Sequence, residues 1–368
     1  MNELQLRQQC TQFFHGHHAA SPAVSFSAMS AWCAQHEVGM DVYGKGDFVQ
    51  EFEAKIADLT GYPAAMFCIT GTMAQMIALK LACEQHASDV VGLHASSHIL
   101  LHEQNNYQHL QLYKVQHLGE PYRPWLASDL AAVPCPLACA AYELPMREIG
   151  GQMPSWQDLL EVKKLARTRG IHLHMDGARL WEAANAYGKP IAEVCEGFDS
   201  CYVSFYKGIA GMGGAMLLGS EEFISQARVW MHRFGGSVIH RLPYVVSAAM
   251  QFDTRLAAMP LYLRRAQEFA RLIAQQPQLR INPAQPQCNL FHLYFPASSS
   301  QVNTIRNQIA EEERVWLFSN ARNTALPNQS MVELYCGDNL LAFDLPTIAR
   351  ILQLFVDKLE ALQAVNYS

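Results

Sequence analysis

The chain has 368 residues, half of them hydrophobic and 16% charged, with a formal net charge of −6. That balance is ordinary for a globular protein with a sizeable core, and the length suits two domains. The negative charge, with no basic stripe and no run of like charges, argues against nucleic acid as a partner. No apolar run is long enough to span a bilayer, and Met1-Asn2-Glu3-Leu4-Gln5 lacks the charged-then-apolar layout of a signal peptide, so no membrane is expected. Ten cysteines (Cys10, Cys33, Cys68, Cys83, Cys135, Cys139, Cys195, Cys201, Cys288 and Cys336) contain no CxxC pair. They read as free thiols, most of them buried, of a protein in the reducing cytoplasm.

In chain order, residues 64–69 read as a strand and 72–83 as a helix with Met73, Met76, Ile77, Leu79 and Leu81 on its apolar positions. Short apolar runs at 99–101, 138–141, 171–175, 202–205 and 215–218 read as further strands, with helices at 156–168 and 221–230. Strands alternating with helices predict an α/β layer sandwich around a largely parallel sheet. The character changes near Asp253. A helix at 260–275, strands at 289–295, 315–318 and 331–335, and a closing helix at 345–362 predict a smaller α+β domain. The expected division is residues 1–250 and 251–368.

Residues with chemistry stand at the ends of these strands. In His174-Met175-Asp176-Gly177-Ala178-Arg179, an apolar strand ends in an aspartate. A carboxylate there suits the pyridine nitrogen of pyridoxal phosphate (PLP), because an anion keeps that nitrogen protonated and the ring electron-withdrawing. The competing reading is a helix N-cap, which by itself is the better one. Lys207 closes another apolar strand and enters Gly208-Ile209-Ala210-Gly211-Met212-Gly213-Gly214. A Schiff-base lysine needs desolvation, and glycines let the backbone approach a flat cofactor. An exposed lysine at a turn is the alternative. A dinucleotide loop is rejected, because the glycines run G-x-x-G-x-G-G and a strand follows. Thr70-Gly71-Thr72 opens a helix whose N–H groups and Thr72 hydroxyl suit a phosphate, or it is a plain threonine cap. His98, at a strand edge, offers an imidazole to stack on a ring, though fifteen histidines dilute that signal. The four occur in the order Gly71-Thr72, His98, Asp176, Lys207, with the last two 31 residues apart (207 − 176).

Four segments resemble the threonine aldolase and β-eliminating lyase group of fold-type I PLP enzymes, across roughly residues 35–245. They are Val38-Gly39-Met40-Asp41-Val42-Tyr43-Gly44 with Val49-Gln50-Glu51-Phe52-Glu53, then Thr70-Gly71-Thr72-Met73-Ala74, His174-Met175-Asp176-Gly177-Ala178-Arg179-Leu180, and Lys207-Gly208 with its glycine-rich tail. The resemblance implies a PLP-dependent transferase-like three-layer sandwich with a mostly parallel central sheet and a smaller C-terminal domain. It also implies roles. Lys207 would carry the cofactor, Asp176 would face the pyridine nitrogen, and Gly71 and Thr72 would hold the phosphate. His98 would stack on the ring and serve proton transfer near the substrate side chain. Arg179, in the cofactor pocket, would grip the substrate carboxylate as a bidentate fork. The alternative for Arg179 is a helix-surface pair with Glu182 at i+3.

The resemblance further implies a carbon–carbon lyase that cleaves a β-hydroxy amino acid to glycine and an aldehyde. A β-eliminating lyase, an aminotransferase and a catalytically silent PLP-fold binding protein are the alternatives. The partners implied are a small amino-acid substrate and copies of the same chain, as a homodimer or homotetramer. Met231-His232-Arg233-Phe234-Gly235-Gly236 resembles a segment that reaches toward a shared site. The departures are specific. Tyr206 stands where the family has serine before the lysine. Met331-Val332-Glu333-Leu334-Tyr335 lacks the family's C-terminal arginine. Glu143-Leu144-Pro145-Met146-Arg147 replaces its Glu-Asn-Thr-His segment. Arg147 or Arg322 is expected to substitute for the missing arginine. The family's N-terminal Ser-Asp-Thr is also absent, with Phe14-His15-Gly16-His17-His18 nearby. Those histidines are read as exposed or site-lining rather than as metal ligands.

Overall fold

Seven short runs, five of them mostly apolar, become the strands of one sheet: β1 (Ala64–Cys68), β2 (Val90–His94), β3 (Lys114–Leu118), β4 (Cys139–Glu143), β5 (His172–Gly177), β6 (Ser200–Ser204) and β7 (Ala215–Gly219). A computed structural model, which describes residues 3–18 and 20–366, orders them β1-β7-β6-β5-β4-β2-β3. Neighbours are parallel except around β7, which runs antiparallel to both β1 and β6. Every residue of β4 to β7 is buried, as a sheet covered on both faces requires.

Alternation along each strand assigns the two faces. Met66, Cys68, Tyr202, Ala215 and Leu217 pack with Ile77 and Leu81 of helix Gly71–Glu84 and with Phe223 and Ala227 of helix Glu221–Arg233. On the other face Phe67 and Phe205 stack with ring centroids 6.0 Å apart. Phe205 also meets Phe52 of helix Asp47–Thr60 and Trp181 of helix Leu180–Tyr187. Helix layer, sheet and helix layer make the α/β sandwich that the strand–helix alternation predicts.

One face of β5 is polar although buried. His172 Nε2 and His174 Nδ1 both lie 2.7 Å from Ser200 Oγ, and His174 Nε2 lies 2.7 Å from Gln75 Oε1. Burial pushes His172 down to about 4 and His174 down to about 3, from an ordinary 6.5. Both imidazoles are therefore neutral in the fold at any ordinary pH. Below pH 6.5 the unfolded chain takes up protons that the folded chain refuses, so stability falls with pH from there toward 3–4. The stability of a His174→Gln variant is expected to fall less steeply over that window, as read from urea midpoints. An unchanged slope would assign the acid sensitivity elsewhere.

The chain divides into two units: Ala20–Glu148 with Met153–Ala257, which holds the large sheet, and Met1–Ala19 with Ile149–Gln152 and Ala258–Ser368. The N-terminal segment, expected with the large domain, groups instead with the C-terminal part. There Gln12–Phe13 pairs in parallel with Val315–Trp316, and Leu6 and Cys10 pack on Ala310 and Trp316. The second unit has a four-stranded antiparallel sheet in the order Arg322–Asn323, Ser330–Tyr335, Leu290–Phe295, Arg280–Asn282. Its core joins Phe291 and Phe295 to Ile305 and Ile309 of helix Ser299–Glu313 and to Ile351 and Phe355 of helix Leu345–Asn366.

Three local expectations change. Residues 99–101 are not a strand but lie in the short helix His98–His102. β2 and β3 are additional strands. The helix expected from residue 260 is the last part of Leu242–Ile273, with Pro260 inside it.

Candidate active site

β7 alone runs against the others, so the carboxyl ends of β1, β2, β4, β5 and β6 share one edge of the sheet. Open α/β sheets bind ligands at that edge. The register there puts Glu143 of β4 beside Asp176 of β5, and Asp176 beside Tyr202 of β6. Asp176 is buried, and its carboxylate accepts the Ala178 N–H at 3.2 Å. Burial raises its pKa, while the charges of Lys207 and His98 pull it down. Glu143 is pushed up to about 7, first by burial and then by the Asp176 charge. Its two oxygens accept the N–H of His98 at 3.2 Å and of Arg147 at 3.0 Å.

Lys207 is held one turn beyond β6. Ser204 Oγ donates to Ala178 O at 2.9 Å, and Trp181 Nε1 donates to Ser204 O at 3.1 Å, so the aspartate and lysine loops are tied together. Burial, then the Arg179 charge, pulls Lys207 down to about 8, against the opposing carboxylates of Asp176 and Glu143. Its Nζ lies 5.6 Å from the Tyr206 ring centre.

The glycine-rich tail has a different use from the one expected. A Cβ on Gly214, at φ +92°, would lie 2.2 Å from Phe67 Cζ, and one on Gly213 would lie 2.8 Å from Tyr244 Cδ1. These two glycines make room for aromatic rings, Phe67 in the core and Tyr244 of helix Leu242–Ile273. Ala210 adopts φ +59°, a conformation costly for a residue with a Cβ, and is fixed by its N–H to Lys207 O and by Gln251 Nε2 to its own O. Ala210→Gly is expected to raise stability by about 0.5–1 kcal/mol. A lowered urea midpoint would show that the loop holds no such strain.

At the end of β1, Thr70 rather than Thr72 caps helix Gly71–Glu84, with Oγ1 accepting the Met73 N–H at 3.3 Å. Gly71 and Thr72 therefore lie in the first turn, whose N–H groups have no intrahelical partner. A Cβ on Gly71 would meet Tyr202 Oη at 2.1 Å, and Tyr202 Oη is 3.4 Å from Tyr206 Oη. Two phenol groups thus stand beside the turn.

His98 opens a helix rather than edging a strand. Its Nδ1 lies 3.3 Å from Glu103 Oε1, and its ring centroid is 5.1 Å from that of His102. Arg179 stands at the N-cap of helix Leu180–Tyr187; after burial, its charge is what most lowers Lys207, and it opposes the rise that burial gives the buried Glu182. Arg147 also lowers Lys207, so it stands within electrostatic reach of the amine. Arg322 lies on the edge strand of the other unit, its Nε 2.9 Å from Met331 Sδ. His17 Nε2 is 2.9 Å from Tyr335 Oη, and among the described residues no cluster of His, Cys, Asp and Glu could hold a metal ion. In the N-terminal signature, Asp41 is fully buried and accepts the N–H groups of Gly44, Arg241 and Leu242.

Sequence reasoning missed Glu143, Glu103, His102, Glu148 and Tyr202. The signal for His102 and Glu103 was their i+4 and i+5 spacing from His98, hidden once that run was read as a strand. Glu143 and Tyr202 are visible only through the register with Asp176.

The donor set fits PLP. A buried carboxylate whose pKa burial raises suits a pyridinium N–H. A desolvated amine suits the aldehyde carbon, and a helix N-terminus suits the phosphate.

A family model described as beta-eliminating lyase matches residues 21–295. A crystal structure of a candidate aromatic amino acid beta-eliminating lyase/threonine aldolase from Exiguobacterium sp. 255-15 superposes with a TM-score of 0.91 at 32% identity, covering 96% of this chain and 99% of that one. A candidate L-allo-threonine aldolase from Listeria monocytogenes gives 0.90 at 32% identity, covering 97% and 98%. The low specificity L-threonine aldolase of Escherichia coli is 31% identical over 206 residues, 55% of this chain and 61% of its own.

Proposed function

The chain belongs to the beta-eliminating lyase family, and on that premise we propose that Lys207 holds pyridoxal phosphate in an enzyme that splits a β-hydroxy amino acid into glycine and an aldehyde. It is a PLP-dependent carbon–carbon lyase of the threonine aldolase type on a fold-type I scaffold. The observation that carries this reading is the setting of Lys207: a buried amine one turn beyond β6, acted on by the guanidinium groups of Arg179 and Arg147 and by the carboxylates of Asp176 and Glu143. The names of the Listeria and Escherichia coli relatives support the same reaction.

Bound PLP supplies the sink for the electron pair released when the Cα–Cβ bond breaks. The rest falls to this chain. At pH 7 an amine with a pKa near 8 is roughly one-tenth neutral, enough to attack a carbonyl carbon. Asp176 holds a proton on the pyridine nitrogen. Gly71 and Thr72 hold the phosphate through first-turn N–H groups and the Thr72 hydroxyl. His98 covers the ring face. Arg179 forks the substrate carboxylate, and Arg147 takes the place of the arginine missing from residues 331–335.

The direct experiment incubates the PLP-loaded enzyme with L-threonine and L-allo-threonine. Acetaldehyde and glycine in equal amounts are the expected products. Pyruvate and ammonia from serine or cysteine, with no aldehyde from any β-hydroxy amino acid, would replace this reading with β-elimination.

The working form is a homodimer or homotetramer. Helix Pro22–Gln35 has no buried residue, although Val24 and Phe26 are 59% and 56% exposed, and Met40 and Val42 beyond it are as open. Apolar surface on that scale suits a second copy of the chain. Light scattering that returned a monomer would contradict it. No helix among the described residues is long and apolar enough to cross a membrane. The proposed compartment is the cytoplasm, in keeping with ten free thiols.

A further inference from the structure

One acid–base pair beside the site has no part in the roles above. His102 lies one helical turn after His98. Its Nε2 is 2.8 Å from Glu148 Oε1, and the same oxygen is 3.2 Å from Arg147 Nη1. The Glu148 side chain is 9% exposed, whereas that of His102 is 36% exposed. A nearly buried carboxylate therefore holds one nitrogen of an imidazole that remains open to solvent. With Nε2 donating to Glu148, the lone pair sits on Nδ1. No hydrogen bond from the described residues occupies that nitrogen.

His98 is differently placed. Its Nδ1 is engaged by Glu103, whose other oxygen accepts from Asn106 Nδ2 at 2.8 Å, and its backbone N–H is taken by Glu143. The groups flanking the His102–Glu148 pair both reach the reaction centre. His98 acts on Asp176, and Arg147 acts on Lys207. The pair is thus seated between two residues already in the site, with an open nitrogen one ring beyond the imidazole that covers the cofactor.

We infer that His102, oriented by Glu148, is the base that takes the proton of the substrate's β-hydroxyl, leaving His98 to cover the ring. This rests on the aldol-cleavage reading. The hydroxyl O–H bond breaks, its proton goes to Nδ1, and its electron pair becomes the second carbon–oxygen bond of the aldehyde. The Cα–Cβ bond breaks with its pair remaining on Cα, and one proton taken up there completes glycine. The pair fixes the substrate class as amino acids with a hydroxyl on Cβ, since a side chain without one gives Nδ1 no proton to take.

The test compares the PLP-loaded wild type with His102→Asn and Glu148→Gln. Three measurements are needed on each: steady-state cleavage of L-threonine or its best analogue, the cofactor absorbance, and exchange of the glycine α-proton in deuterium oxide. Exchange needs the cofactor and the carboxylate grip but no hydroxyl base. His102→Asn is expected to lower kcat for cleavage about 10²–10⁴-fold, the range of a lost general base. Its absorbance should be unchanged and its exchange within about twofold of wild type. Glu148→Gln is expected to lower kcat about tenfold with little change in KM, as for loss of an orienting partner. Cleavage by His102→Asn within about threefold of wild type overturns the inference. So does a fall in exchange parallel to the fall in cleavage, which would mean that His102 supports the cofactor or the fold. If the wild type exchanges glycine but cleaves no β-hydroxy amino acid, the aldol reading fails first and takes this inference with it.

Discussion

Lys207→Ala is expected to remove the covalent hold on PLP and at least about 10³-fold of the cleavage rate, equivalent to about 4 kcal/mol of transition-state stabilisation. Borohydride treatment of the wild type should leave a reduced adduct on the Lys207 peptide, and the variant should give none. The control is Lys163, which burial also lowers to about 8. Its amine donates to Val194 O at 2.9 Å and lies 5.2 Å from the Trp156 ring centre and 5.0 Å from that of Phe198. A lowered pKa therefore does not identify the anchor. Lys163 is packed between rings and committed to a carbonyl, while Lys207 stands among two carboxylates and two guanidinium groups. Lys163→Met should cost stability and leave the adduct in place. An adduct that survives in Lys207→Ala would move the anchor and remove the basis of the proposed function.

Asp176→Asn is the second large effect. It preserves shape but removes the charge that holds a proton on the pyridine nitrogen, and a loss of about 10²–10⁴-fold in kcat is expected. A second readout comes from Glu143. The Asp176 charge helps to push Glu143 up to about 7 from 4.5, so the folded chain binds more protons than the unfolded chain in that window. Stability contributed by Glu143 accordingly falls as pH rises from 4.5 to 7. Asp176→Asn should lessen that fall in the cofactor-free protein. The comparison is made between variants at each pH, because His172 and His174 slope the other way below 6.5. Full activity in Asp176→Asn would assign the pyridine partner to another group.

The sheet was legible where strands are buried on both faces. Residues 64–68 and 139–142 are continuous apolar runs, as strands covered on both faces require, and 171–175 carries apolar residues at alternate positions. β2 was not, because Gly92 interrupts it. That glycine is there because Leu118 and Leu137 close over it, with a Cβ falling 2.7 Å from one and 3.0 Å from the other. Ile99-Leu100-Leu101 was misread because three apolar residues fit a strand as well as one helical turn. That error concealed His102. The positions of Asp176 and Lys207 at the carboxyl edge of the sheet were legible because one ends a strand-like run and the other stands one turn beyond another. Glu143 was not, since a glutamate ending a strand carries no sign of its neighbour until the register is known. The tail of Lys207 shows the reverse case: its glycines were visible, but what they make room for is Phe67 and Tyr244.

The groups gathered at the sheet edge come from five separate strands, with Gly71 and Lys207 136 positions apart (207 − 71). A ligand that touches them all can bind only after those strands have been assembled, and the chain cannot unravel without letting it go. Occupancy then acts as a mass-action lock. At a free concentration one hundred times its dissociation constant, a ligand bound only by the native state adds about 2.7 kcal/mol to stability. The amount of this enzyme in a cell should therefore follow the supply of its cofactor, with the unfilled chain the preferred substrate of the cell's proteases.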